Sequence, residues 1–196
     1  MSETSTTTPG NRDNGNHAPA NKKYPLSLRA LHWLMAVIII GLIPLGYYMS
    51  LSNESSPEFA DKLLYWHKSF GLLIFFLIII RFVVRKRSTL QPLPENISAK
   101  EKIMARISHF ALYVLMFSVP FLGALMSSTY ENNTGLHFFF MDLPEFTPKN
   151  ETVSFAAFYW HRVLAYTLLA TASIHILGAL KHRFIDKEND IIPRIT

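Results

Sequence analysis

Four long apolar runs, at about 30–49, 64–84, 107–127 and 155–180, constrain this 196-residue chain more than any other feature. Crossing the ~30 Å hydrocarbon layer takes roughly 17–25 largely apolar residues, and each run is long enough. The first two are almost uninterrupted, as in LHWLMAVIIIGLIPLGYYM and LLYWHKSFGLLIFFLIII. The third and fourth carry more small and polar residues, as suits helices that pack on neighbours or on a ligand. Backbone polar groups in lipid must be satisfied within the segment, so each run is expected to be a helix. The expected fold is all-α: an integral membrane four-helix bundle, with residues 24–196 forming one domain. Residues 1–23 are polar, rich in Thr, Asn, Gly and Pro, and read as a disordered tail.

Lys and Arg set the orientation. Four precede the first run (Arg12, Lys22, Lys23, Arg29) and seven lie at the end of the second and beyond it (Arg81, Arg85, Lys86, Arg87, Lys100, Lys102, Arg106). Four more follow the last run (Lys181, Arg183, Lys187, Arg194), which leaves Lys62, Lys68, Lys149 and Arg162 for the opposite side. Positive charge is retained in the cytoplasm, so both termini are expected there. This distribution makes nucleic-acid binding a poor reading of the net charge of +5. Within the 86–105 loop, Ser98 and Glu101 have capping-box spacing and mark a helix start. The aromatic LHFFFMDLPEF stretch of the 128–154 loop suits an interfacial segment lying as a lid.

The chain has no cysteine, which removes disulfides, iron–sulfur clusters and covalent c-type haem attachment. Its eight histidines carry the remaining chemistry. His161 and His175 share one apolar run, fourteen residues and about 21 Å apart, and leave the helix in nearly the same direction. His32 opens the first run and lies at cytoplasmic depth; His67 opens the second, at the outer depth. The fourth run goes inward, which puts His161 outside and His175 inside. Depth therefore pairs His32 with His175 and His67 with His161. Ionisable groups inside membrane helices are costly and mark function. Two facing histidine pairs at two depths are what two six-coordinate haems stacked across a bilayer need, so these four are the candidate iron ligands.

Small residues lie one turn toward the membrane centre from each: Ala36, Gly71 and Ala165, with Thr171 and Ala172 beside His175. His109 has Leu112 and Tyr113 there instead, and reads as a rival ligand or a proton or quinone residue. His182, flanked by Lys181 and Arg183, is the second rival ligand and reads as solvated or close to a propionate. His137 and His17 receive no role. Arg29, Lys68, Arg162 and Arg183 neighbour the four candidate ligands, and each could pair with a haem propionate.

The chain resembles the bacterial cytochrome b561 family of four-helix di-haem, quinone-linked membrane cytochromes. The resemblance lies in RALHW at 29–33, in His67 followed by KSFG, and in YWHRVLAYTLLATASIH at 159–175 leading into ALKHRF. The third run, ISHFALYVLMFSVPFLGALMSS, is similar to the family too. It implies haem b at His32, His67, His161 and His175, an inner-membrane location, and electron exchange with ubiquinone. One branch of the family implies superoxide as a periplasmic one-electron donor. Lys68 and Arg162 would then offer positive potential to that anion. The alternative is a haem-bearing anchor subunit of a larger quinone-linked dehydrogenase or hydrogenase.

Overall fold

The computed structural model describes residues 23–52, 57–90, 97–132, 135–187 and 190–196. The expected disorder of the tail concerns residues outside this set, apart from exposed Lys23. Four helices follow in order: α1 (Leu26–Ser52), α2 (Pro57–Arg87), α3 (Ala99–Thr129) and α4 (Glu151–Phe184). All four are long and apolar enough to cross a membrane. Each extends past its apolar run, because the polar flanks continue the helix into the headgroup region. The Ser98 side chain accepts from the Glu101 amide and the Glu101 carboxylate accepts from the Ser98 amide, the reciprocal cap that starts α3. Asn150 caps α4 through the Val153 amide.

Packing runs α1 on α2, α2 on α3 and α3 on α4. Met35, Ile74, Leu77 and Ile78 lock α1 to α2, while Leu115, Val119 and Leu168 lock α3 to α4. Lipid tails are as apolar as these side chains, so the gain is close van der Waals contact rather than escape from water. The fourth helix lies close along α3 alone and approaches the backbones of α1 and α2 at few or no points. Across that separation, α4 reaches α1 and α2 through histidine rings.

The stretch after α3 forms a small hairpin, β1 (Leu136–Phe138) and β2 (Met141–Leu143), with His137 opposite Asp142. The buried Ser69 hydroxyl accepts from the Phe139 amide, and Phe138 packs edge-on against Phe76. Tyr65, Ser69, Leu72 and Phe76 recur at helical spacing on one face of α2, about 180° from His67. The hairpin therefore rests on the flank of α2 away from that histidine, not as the lid the aromatic run suggested. Buried Ser128 accepts from the Phe146 and Thr147 amides and ties down the return to α4. At the other end of the bundle the chain terminus folds back on α1. Tyr24 donates its amide to the Arg194 carbonyl, and Trp33 donates its indole N–H to the Ile195 carbonyl.

Candidate haem-binding site

The structure brings the four candidate histidines together in the two pairs that depth selects. The His32 and His175 rings have centroids 6.4 Å apart, inclined by 68°. The His67 and His161 rings have centroids 6.1 Å apart, inclined by 73°. A metal-bound imidazole nitrogen lies about 2 Å from its metal, so rings on opposite sides of one metal have centroids roughly 6 Å apart. Both pairs bridge helices whose backbones stand apart. Neither needs a change of helix position to meet this spacing. His109 stands 5.2 Å from the His175 ring, closer than a shared metal between opposed rings would allow.

Each ring is set by features of the neighbouring helix. The His161 Nδ1 lies 2.8 Å from the Val119 carbonyl, to which it can only donate. That contact fixes the tautomer and leaves Nε2 as the free lone pair, the arrangement metal-binding histidines use. It is possible because residue 123 is glycine: a Cβ there would come within 3.2 Å of both Cε1 and Nδ1 of His161. Pro120, inside α3, lacks an amide and loosens the local ladder beside this notch. His67 similarly nests on Gly46 of α1, where a Cβ would lie 3.2 Å from its Cε1. Its Nδ1 is buried and has no hydrogen-bond partner among the described residues. Gly71, one turn from His67, faces open space, with nothing within 4 Å of where its Cβ would be. A flat group seated against His67 would find room there. The residues present thus fit two bis-imidazole haems. Gly123→Leu is expected to push the His161 ring off Val119 and to abolish binding at that pair alone, as haem quantitation of the purified variant would read.

In the sequence Arg81 is legible only as part of the charge count, and nothing there marks Gly46, Gly123 or Val119. A guanidinium nitrogen of Arg81 donates to the Leu28 carbonyl at 2.8 Å, and another lies 3.5 Å from the His32 Nδ1. Arg81 can only donate. If His32 binds a metal through Nε2 it carries its proton on Nδ1, so this approach is that of a charge beside a ring rather than a hydrogen bond. The signal for Arg81 was its place: a cation ahead of the RKR cluster, still within the apolar run.

Two of the four basic neighbours of the histidines, Lys68 and Arg183, are engaged by other groups. Lys68 donates to the Gly135 carbonyl at 3.1 Å and so holds the hairpin to α2. Arg183 pairs with Asp190 at 2.6 Å. Arg162 is exposed, and the Nε of Arg29 is buried without a hydrogen bond among the described residues. His182 is buried and sits 3.1 Å from Asp186, which corrects its reading as a solvated residue. Glu101, His182 and Asp186 bring ligand atoms within 4.8 Å of one another. Lys181 already occupies Glu101 there, so the cluster is an ion-paired clamp between the start of α3 and the end of α4. His137 pairs with Asp142 across the hairpin at 2.5 Å.

The model of a family described as Prokaryotic cytochrome b561 matches residues 23–196. Cytochrome b561 homolog 2 of Escherichia coli (strain K12) is 32% identical over 177 residues, covering 87% of this chain and 89% of that protein. A protein of Yersinia pestis named Probable superoxide oxidase CybB is 22% identical over 172 residues, covering 88% of this chain and 95% of that one.

Proposed function

Since the chain belongs to the prokaryotic cytochrome b561 family, a membrane electron-transfer family that binds b-type haem, we propose that it holds two haems and passes electrons from a one-electron donor to ubiquinone. It is a multi-pass protein of the bacterial inner membrane. The observation that carries the proposal is the pair of ring separations, 6.4 and 6.1 Å, at two depths of one bundle. His32 with His175 would hold one haem and His67 with His161 the other. Held by two histidines each, the haems would supply outer-sphere electron transfer. The residues of the chain do the rest. His161 is oriented by Val119, Gly46 and Gly123 give both rings of the second pair their seats, and Arg81 places a fixed positive charge beside His32.

Both termini lie in the cytoplasm in this reading, which the charge distribution supports. The His67 and His161 end then faces the periplasm. Superoxide is the donor we infer there, supported by the name of the Yersinia pestis relative. Arg162 is exposed next to His161 and can offer an anion positive potential. Lys68 is a weaker candidate, since its ammonium is bonded to the hairpin backbone.

A reduced-minus-oxidised spectrum with haem quantitation on the purified chain is expected to show two low-spin haems per chain. One haem or none would end the di-haem reading. Stopped-flow reduction by a superoxide pulse, with ubiquinone present, tests the donor. The rate is expected to fall several-fold with Arg162→Glu at full haem content, and to fall with added salt, since the field is screened beyond about 10 Å at 0.1 M. No reduction by superoxide, together with co-purification of an iron–sulfur subunit, would favour the anchor-subunit alternative.

A further inference from the structure

We propose that the groove between α2 and α3, alongside His109, binds a prenylated quinone with its headgroup on His109 and Tyr113 and its tail in the lipid. The proposal rests on the relay reading above and gives the acceptor a position. The groove holds about 760 Å³, within the range of sites for small organic ligands. Phe82, Phe110 and Phe117 form its walls, and all three are exposed on the outer surface of the bundle. A ligand can therefore enter sideways from the bilayer.

Two polar groups stand among these apolar walls. His109 and Tyr113 are four residues apart on α3 and share a face. The buried Tyr113 hydroxyl neighbours the Arg81 guanidinium, which can only donate, so the phenol O–H itself meets no acceptor among the described residues. Imidazole N–H and phenol O–H are both donors, and the carbonyl oxygens of a quinone are acceptors only. Aromatic walls suit its flat ring, and the open side suits an isoprenoid tail. Arg85 and Lys86 lie at the rim, with the Lys86 ammonium 5.7 Å above the Phe82 ring. A phospholipid would place its phosphate on that rim and leave the inner donors unmet. The His109 ring is 5.2 Å from that of His175, so a headgroup on His109 lies one side chain from the His32 and His175 pair.

The test uses the full haem-loaded chain in phosphatidylcholine nanodiscs with an azido-ubiquinone photolabel. Label is expected on peptides covering 78–90 and 109–118, and is displaced by decylubiquinone. Val114→Trp, which fills the groove, should cut labelling at least tenfold. His109→Phe should weaken decylubiquinone binding about tenfold without overpacking. Both variants should keep the haem content of the parent. Label on α1, α4 or the hairpin, or displacement by phosphatidylglycerol as readily as by decylubiquinone, would overturn the proposal. A haem-free chain still labelled at α2 and α3 would keep the groove and defeat the relay; a fully loaded chain labelled elsewhere would do the reverse.

Discussion

His161→Ala and His175→Ala are each expected to leave one haem per chain where the parent holds two. The two positions lie in one helix about 21 Å apart, and each faces a different partner, so loss at one depth leaves the other pair standing. His67→Ala should reproduce the first variant and His32→Ala the second. Each lost haem also removes a ligand that stabilises the folded chain, worth about 3 to 4 kcal/mol at a haem excess of roughly 100 to 1,000 times Kd. Haem quantitation and a thermal melt of the same samples read both effects. Two haems retained in His161→Ala would remove that residue from the assignment. His109→Ala and His182→Ala should keep two, because the first ring is too close to His175 and the second is held by Asp186.

Arg81→Met is expected to lower the midpoint potential of the haem at His32 and His175 by tens of millivolts and to leave the other unchanged. A positive charge favours the reduced, less positive form of a nearby iron. At about 8 Å and an effective dielectric near 20, one charge contributes about 2 kcal/mol, or roughly 90 mV for one electron. Methionine keeps the length of the side chain while removing the charge. Arg81→Lys should restore most of the potential, although it cannot reproduce both the Leu28 and the His32 contacts. A redox titration that resolves two components measures the shift. A loss of the bond to Leu28 that merely loosened α1 would broaden or deplete the spectrum without moving one midpoint alone. Equal midpoints in parent and variant would assign Arg81 to the α1–α2 contact only.

The spans were legible because period and length decide them: an apolar run of that size has few other solutions. The meeting of His32 with His175, and of His67 with His161, followed from counting residues and from the side on which Lys and Arg collect. Neither argument needs to know which helices touch. Gly46 and Gly123 do need it. Each glycine matters for a ring on another helix, His67 and His161 respectively, and nothing in its own stretch marks that neighbour. The same limit applies to Lys68, which sequence adjacency set beside a histidine and which the fold turns toward Gly135. The hairpin is not legible because three-residue strands leave almost no periodic signal, and its aromatic residues fit a helix or a strand equally well.

The fourth helix supplies a histidine to both pairs, so its pitch acts as a fixed length standard for the distance between the two centres. Neither α1 nor α2 can alter that distance by shifting; each can only meet or fail to meet the ring presented to it. A single residue inserted between 161 and 175 would turn one histidine about 100° away from the other and move it 1.5 Å along the axis. Point substitutions along this stretch are tolerable wherever size permits, whereas a change of length is not. The number of residues between those two positions is therefore a tighter constraint on the pair than the identity of most residues between them.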